Sequence, residues 1–155
     1  MRLVLQRVSR AAVRVGGGTV SEIGPGLLIL AGVGREDSGP GDAEIEWLAG
    51  KVHNLRIFED GDGKMNRSVA ETGGEILVVP QFTLYGDVRR GRRPSWDAAA
   101  SPEVARERVE QFCAALEVLG ATVRRGAFQK HMEVELVNDG PVTMLLEGGE
   151  PRTSR

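Results

Sequence analysis

The sequence predicts one α+β domain, because short strand-like segments come before, between and after two amphipathic helices. Several segments bounded by glycine or proline alternate apolar and polar residues or run apolar for about 4–8 positions, as strands do. Two longer segments carry apolar residues at helical spacing. The 155 residues suit a single core, so we expect one domain over residues 1–155 with a loose tail from about residue 148.

Three strands are predicted in the first part of the chain. Residues 3–15 alternate loosely, and after a run of three glycines residues 19–23 return as a partner strand. Residues 27–33 (LLILAGV) are continuously apolar and too few for a helix, which predicts a buried strand. Further on, residues 75–79 and 82–85 are strand-like, and the intervening Pro80 indicates a bulge, an edge or a kink.

Two helices are predicted from spacing and capping. The first covers residues 42–57, with Asp42 as its N-cap. The second follows Ser101 as N-cap, carries Pro102 at its first position and ends at Gly120. Their apolar stripes consist of Ile45, Leu48, Val52 and Leu55 in the first, and Ala105, Val109, Phe112, Leu116 and Leu119 in the second.

Composition excludes several classes of protein. A net charge of −2 argues against a protein that coats nucleic acid generally, although a local basic patch remains compatible with it. The single cysteine, Cys113, forms no intramolecular disulfide and fits a reducing compartment. Arg7 interrupts the N-terminal apolar run too early for a signal peptide, and no segment approaches the roughly 20 apolar residues of a membrane span. We therefore expect a cytoplasmic protein without membrane contact.

Metal and cofactor sites are not expected. Asp60 and Glu71 have the spacing of a calcium loop, but Met65 stands where that loop requires glycine. The two histidines, His53 and His131, and the single cysteine show no short ligand spacing.

Three motifs carry possible chemistry. The first is Gln81-Phe82-Thr83-Leu84, which fits an ordinary strand and equally a hydroxyl and an amide presented at a strand end beside a pocket. The second has four arginines within five positions, Arg89, Arg90, Arg92 and Arg93. They form either a solvated loop or a phosphate-binding loop.

Neighbours of the arginine loop extend this second motif. Trp96 either stacks on a base or packs in the core, and packing is favoured. Four more cations join the patch if folding brings them near: Lys64, Arg67, Arg124 and Arg125.

The third motif is Asn138-Asp139-Gly140-Pro141. It lies between apolar segments at 132–136 and 142–146, which predicts a hairpin turn between two strands. A proline directly after the glycine is unusual, because it removes a backbone donor at the start of the next strand.

Together these segments resemble the D-aminoacyl-tRNA deacylase family over nearly the whole chain. The matching motifs are Leu5-Gln6-Arg7-Val8, Gly63-Lys64-Met65-Asn66, Gln81-Phe82-Thr83-Leu84, Gly91-Arg92-Arg93-Pro94-Ser95, Phe128 with Met132, and Val137 to Thr143. Each motif alone is weakly specific, whereas all of them in order are highly specific. Pro80 departs from the family, which usually has serine before Gln-Phe-Thr-Leu, so no serine hydroxyl is expected there.

The resemblance implies a fold, an activity and an assembly. The expected fold is two packed, largely antiparallel sheets, barrel-like, with two main helices on one side. The expected activity is hydrolysis of the ester between a D-amino acid and the tRNA 3′ end, without a cofactor and without DNA as partner. A homodimer with active sites at the interface is implied, in which a cis Gly140-Pro141 peptide enters the partner's pocket and Arg7 holds it.

Site residues follow from the same resemblance. The catalytic candidates are Gln81, Phe82 and Thr83. The candidates for substrate binding and chiral selection are Gly140, Pro141, Arg7, Phe128, Met132 and Asn138. The tRNA-binding candidates are Arg89, Arg90, Arg92 and Arg93.

Chiral selection is easier by exclusion than by attraction, because a favourable apolar contact discriminates by only roughly 1–3 kcal/mol per methylene. We expect the Gly140-Pro141 backbone to exclude L side chains and to admit glycine. Cleavage has two open routes, with Thr83 as nucleophile or with the ribose 2′-hydroxyl assisting while the protein positions the ester. Two alternatives stay open: a non-catalytic RNA-binding module, and a hydrolase of small D-amino acid esters or peptides.

Overall fold

A computed structural model describes residues 1–38 and 43–149, and these form an α+β fold. The strands are β1 (Arg2–Val15), β2 (Gly18–Ile23), β3 (Gly26–Gly32), β4 (Phe58–Glu59), β5 (Met65–Arg67), β6 (Glu75–Pro80), β7 (Thr122–Arg125) and β8 (Glu133–Glu147). The α-helices are α1 (Ala43–Asn54), α2 (Val69–Thr72) and α3 (Pro102–Val118). Asp42, the predicted cap of α1, and the tail beyond residue 149 lie outside the described residues. None of the described helices combines the length and apolar character that crossing a bilayer requires.

Strand β1 is the centre of the main sheet. Its first half pairs with β3 and its second half with β2, while β8 runs along its other edge, all antiparallel. Strands β3, β6 and β7 are mutually parallel. The prediction of two packed sheets was therefore wrong in detail, since the described strands form one mixed six-stranded sheet and a separate β4–β5 pair. The parallel pairs follow from the long helical connections through α1 and α3, which allow a crossover.

The main sheet curls until its two ends approach each other. Ser21 in β2 donates a hydrogen bond to the carbonyl oxygen of Arg125 in β7 at 2.8 Å. These strands are at opposite ends of the order β2-β1-β3-β6-β7. The sheet is therefore barrel-like, as expected, and close to closure.

Each face of the curled sheet is apolar. On one face α1 and α3 pack over alternate residues of β1, β3 and β6, and Phe112 and Leu116 of α3 are fully buried there. The inner face encloses a second cluster that includes Val13, Leu28 and Leu77. Both predicted main helices are confirmed on this one side, although Leu119 lies past the end of α3 and is 42% exposed.

Two local predictions were wrong. Residues 82–85 form a 3₁₀ turn instead of a strand. The segment after Pro80 turns because the Gln81 N–H makes a last hydrogen bond to Ala31 at 2.8 Å and the chain then bends across the end of β3. A side chain at Gly32 would lie 2.9 Å from the Gln81 carbonyl oxygen, so the bend needs glycine there.

The predicted hairpin at 138–141 is also absent, because residues 133–147 form the single strand β8. Both halves of β8 pair with β1, with Asn138 opposite Val8 and Thr143 opposite Gln6. Four residues, 139–142, therefore stand opposite Arg7 alone. The segment is a large β-bulge with four residues opposite one. Pairing along β1 overrides its local turn signal.

We expect Gly26→Ala to destabilise the fold strongly, while Gly24→Ala leaves it nearly unchanged. A Cβ at Gly26 would lie 1.9 Å from the Glu75 carbonyl oxygen in the parallel β3–β6 pair, whereas one at Gly24 meets nothing within 4 Å. Overpacking of this kind costs about 3 kcal/mol, and an unhindered surface change about 0.5 kcal/mol or less. Urea midpoints of the two variants measure the difference, and equal midpoints would contradict the close β3–β6 approach.

Candidate active site

A cleft of about 510 Å³ opens where β6 ends, between the 3₁₀ turn and the start of α3. One wall contains Gln81, Phe82 and Trp96, and the opposite wall contains Phe128 and Met132. Apolar side chains from the end of β3, from β6 and from α3 form its floor: Ala31, Val79, Ala105 and Val109. The structure thus brings together four of the predicted site residues from segments that are far apart in sequence.

The 3₁₀ turn begins at the edge of the cleft, and its first backbone donors lie at Phe82 and Thr83. Within the turn, Leu84 N–H donates to Gln81 at 3.3 Å and Gly86 N–H donates to Thr83 at 3.0 Å. The N–H groups of Phe82 and Thr83 precede these bonds, and the first N–H groups of a helical turn have no acceptor inside it. Adjacent free N–H groups suit an anionic oxygen.

Thr83 directly follows Phe82 in the turn and is exposed, and it is not among the residues that line the cleft. Its hydroxyl oxygen accepts a hydrogen bond from the side-chain amide of Gln81. An amide neither accepts a proton at neutral pH nor releases one, so this contact orients the hydroxyl without activating it.

The turn is anchored at its far end through Tyr85. The Tyr85 hydroxyl donates to the Asp37 carboxylate at 2.8 Å, and the same carboxylate lies 3.0 Å from the Met1 ammonium group. Burial, followed by this bond to Asp37, raises the pKa of Tyr85 far above its ordinary value, so it stays a donor. Arg2 lies over the Tyr85 ring at 4.5 Å. These residues were not predicted, since nothing in the sequence links positions 37 and 85.

A polar depression of about 560 Å³ adjoins this anchor and is slightly larger than the cleft. Its lining includes Met1, Asp37 and Tyr85, whose polar groups bind one another. The apolar cleft, which is lined by Gln81 and Phe82 of the predicted motif, is therefore the candidate site.

On the opposite wall Phe128 and Met132 are held by their neighbours. The Arg106 guanidinium lies 4.6 Å from the centre of the Phe128 ring. The Met132 sulfur accepts a hydrogen bond from Ala127 N–H at 3.3 Å. These contacts fix two half-buried apolar side chains facing the turn.

The β8 bulge is held from below by Arg7, whose side chain is 7% exposed. Its Nε donates to the Asp139 carbonyl oxygen at 3.0 Å, and its Nη1 donates to the Ile57 carbonyl oxygen at 2.7 Å. From above, Asn138 accepts from Val142 N–H at 3.1 Å and donates to the Thr143 hydroxyl at 2.9 Å. The bulge is thus rigidly braced on both sides.

At the tip of the bulge Gly140 and Pro141 are exposed, and the peptide bond between them is cis, as the resemblance implied. Gly140 has a φ of +135°, in the region that side chains other than glycine rarely adopt. Among the described residues lining the cleft, none comes from this bulge. Within one chain, the predicted gate and the predicted catalytic turn therefore belong to different surfaces.

The arginine loop projects beside the cleft. Asp87 and Ser95 close its base through two backbone hydrogen bonds of 2.8 and 2.9 Å. Just beyond the base, Trp96 meets Phe82 edge to face at 5.2 Å and is 41% exposed, so it packs against the turn without being buried in the core. This contact ties the loop to the cleft wall.

The four arginines of the loop differ in their partners. Arg89 bonds to the Asp87 carboxylate at 2.6 Å, which holds the pKa of Asp87 well below its usual range. Arg90, Arg92 and Arg93 are exposed, and no ion pair is found for them within residues 1–38 and 43–149.

Arg124 and Arg125 do not extend the patch. Arg124 pairs with Glu75 at 3.3 Å, and Arg125 pairs with Glu110 and Glu117, both at 2.8 Å. Both arginines are therefore neutralised by neighbouring strands and by α3.

The loop that resembled a calcium site has a structural explanation. The Asp60 carboxylate accepts from the N–H groups of Asp62 and Lys64 at 2.9 and 3.0 Å, which lowers its pKa and shapes the β4–β5 turn. Across the described ranges no cluster of three or more His, Cys, Asp or Glu side chains is arranged to hold a metal.

Comparisons with known proteins show the family to which the chain belongs. A family model described as D-Tyr-tRNA(Tyr) deacylase matches residues 4–147. The chain is 58% identical over 147 residues to a D-aminoacyl-tRNA deacylase of Symbiobacterium thermophilum, covering 95% of each chain. It is 56% identical over 152 residues to one of Thermomicrobium roseum, covering 98% of this chain and 97% of that one.

Solved structures show the same fold. One titled c-Myc DNA Unwinding Element Binding Protein aligns with a TM-score of 0.86 and 39% identity, covering 95% of this chain and 98% of that chain. A probable eukaryotic D-amino acid tRNA deacylase aligns with a TM-score of 0.78 at 19% identity, covering 94% and 97%, which supports the fold alone. The family expected from the sequence is confirmed, and with it the enzyme class: the chain belongs to the D-Tyr-tRNA(Tyr) deacylase family, hydrolases of D-aminoacyl-tRNA.

Proposed function

We propose that this chain hydrolyses the ester that joins a D-amino acid to the 3′-terminal ribose of tRNA, and that it also removes glycine. The observation that carries the proposal is the 3₁₀ turn that begins at Phe82, a residue that lines a cleft with apolar walls. The cytoplasm, where aminoacyl-tRNA is made and used, is the proposed location.

In the proposed reaction a water oxygen bonds to the ester carbonyl carbon, the bond to the ribose oxygen breaks, and that oxygen takes the proton. Negative charge develops on the carbonyl oxygen, and the N–H groups of Phe82 and Thr83 are the proposed donors to it. Removing one such donor typically costs about 10²–10³ in rate, so this arrangement supplies a substantial share of the catalysis. Thr83 is assigned to positioning, since its contact with Gln81 offers no base.

For chirality we propose that Gly140 and Pro141 enter the cleft of a second copy in a homodimer. Three observations support this: the bulge tip is exposed, it is braced by Arg7 and Asn138, and it does not line the cleft of its own chain within the described residues. A braced backbone excludes an L side chain because it cannot move aside. Glycine has no side chain to exclude, so glycyl-tRNA passes the gate.

We propose that Arg90, Arg92 and Arg93 bind phosphates of the tRNA. They are exposed and the loop that bears them packs through Trp96 on the cleft wall. This favours a tRNA substrate over a small free ester. The cleft with its aligned donors favours catalysis over an RNA-binding module, which needs no pocket.

The direct test is a time course of the wild-type protein on D-tyrosyl-, glycyl- and L-tyrosyl-tRNA. We expect release of D-tyrosine and glycine, and no release of L-tyrosine above the uncatalysed rate. The rate at subsaturating tRNA should fall as salt rises, because phosphate contacts release counterions. Rates independent of salt would favour the small-ester hydrolase, and binding without turnover would favour the RNA-binding module. Light scattering on the same sample should give the mass of two chains.

Thr83→Ala should retain most of the turnover on D-tyrosyl-tRNA, because the residue is assigned to positioning. Single-turnover rates measure the chemical step directly. A loss near 10⁴-fold, the upper scale of an acid–base group, would instead make the hydroxyl a chemical participant. Thr19→Ala is the matched control, since Thr19 is an exposed threonine in β2 that does not line the cleft.

Gly140→Ala should reduce turnover of D-tyrosyl-tRNA by at least tenfold. A Cβ there would lie 2.9 Å from the Val142 side chain and 3.2 Å from Arg7 Nη2, so the bulge must shift. Gly149→Ala is the control: its φ is +127°, equally unfavourable for alanine, but the added Cβ meets nothing within 4 Å.

Thermal midpoints separate a displaced bulge from general unfolding in these two variants. If Gly140→Ala hydrolyses D-tyrosyl-tRNA as fast as Gly149→Ala does, the exclusion model is wrong.

A further inference from the structure

The wall of the cleft formed around Phe128 carries a group of basic side chains that no motif predicted. Lys130 and His131 line the cleft and are exposed at its rim. Arg106 reaches the same place from α3, with its guanidinium over the Phe128 ring. We call Arg106, Lys130 and His131 the basic rim.

Arg106 and Lys130 form no ion pair with an acidic residue within residues 1–38 and 43–149. On α3, Glu110 pairs with Arg125 at 2.8 Å, and Glu107 accepts from Gln111 at 3.4 Å. Arg106 itself donates to the Gln129 side chain at 3.5 Å, which is a neutral partner. The rim therefore keeps its positive charge available at the mouth of the cleft.

The backbone beside Lys130 is also unusual. Gln129 has a φ of 55° and is the only residue other than glycine with positive φ in the described chain. Such a conformation costs roughly 1 kcal/mol for a residue with a Cβ and is found where the surroundings require it. Here it places Gln129, Lys130 and His131 in succession along the cleft.

We propose that Lys130, supported by Arg106 and His131, binds the phosphodiester attached to the 5′ carbon of the terminal adenosine of the substrate. This inference rests on the proposed function and adds a specific contact to it. The ester and this phosphate are attached to the same nucleoside. When the ester reaches the turn, the phosphate therefore stays near the same cleft, whose lining includes Lys130 and His131. The arginine loop leaves from the other wall and suits phosphates further along the tRNA.

Two minimal substrates test the contact: 3′-D-tyrosyl adenosine, which has no phosphate, and the same ester carrying a 5′-methyl phosphate. With the wild type we expect the phosphodiester to raise kcat/KM by about fivefold, the scale of one exposed ion pair. Lys130→Ala should abolish this advantage while hydrolysing the phosphate-free ester normally. Lys130→Glu should hydrolyse the phosphate-bearing ester more slowly than the phosphate-free one, and Lys130→Arg should restore the preference.

Lys51→Ala is the matched control, since Lys51 is an exposed lysine on α1 that lies over the Trp47 ring at 5.7 Å. It should keep the wild-type preference. On full-length tRNA, Lys130→Ala should raise KM without lowering kcat and should reduce the slope of log KM against log salt by about 0.7.

Two results would overturn the proposal. An equal loss on both minimal esters in Lys130→Ala would mean that Lys130 has a structural role. A loss seen only with full-length tRNA would mean that Lys130 contacts the acceptor stem instead. Failure of the proposed function looks different, because the wild type would then hydrolyse neither ester.

Discussion

The buried guanidinium of Arg7 joins three parts of the molecule that are distant in sequence. It arises from β1 and binds the carbonyl oxygens of Asp139 in the β8 bulge and Ile57 after α1. A buried charge is tolerated only when its donors are satisfied, and backbone carbonyls inside a bulge lack ladder partners. The Arg7 guanidinium and these carbonyl oxygens therefore satisfy each other's hydrogen bonds, and this contact supports the exposed Gly140-Pro141 tip.

The same bulge decides which core each half of β8 joins. Val134 and Leu136 pack into the inner cluster, whereas Val142, Met144 and Leu146 pack on the helix side. An uninterrupted strand would keep these even-numbered residues on one face. Strand β1 changes face at its own register shift between Val8 and Arg10, with Leu3 and Leu5 on the helix side and Ala11 and Val13 inside. The exposed Gly140-Pro141 tip thus lies where β8 passes from one core to the other.

The sequence correctly predicted the elements whose formation depends on local preferences, such as helix capping and continuous apolar character. Ser101 and Pro102 begin α3 as expected, and the apolar run after residue 26 is a buried strand. The errors arose where distant contacts override local preference. Phe82 to Tyr85 are good strand formers, yet the crowding at Gly32 and the Tyr85–Asp37 bond favour a turn. Asn138-Asp139-Gly140 is a good hairpin signal, yet β1 offers a partner along its whole length.

Candidate site residues were predictable only as separate motifs. The sequence indicated Gln81, Phe128 and Met132 but gave no way to see that they face one cleft. It suggested Arg125 as part of a basic patch, because Glu110 and Glu117 become its neighbours only when α3 packs beside β7. Lys130 and His131 were missed as a pair because two adjacent basic residues are common on any surface.

The position of Gly140-Pro141 on an edge strand has one more consequence. Within the described chain β8 pairs only with β1, so its outer edge presents unpaired N–H and C=O groups, with Leu145 79% exposed beside them. A long regular edge of this kind invites open-ended strand addition from other copies. The bulge breaks the spacing of those groups, and Pro141 has no N–H to offer. The same two residues therefore disfavour open-ended strand addition along the outer edge of β8.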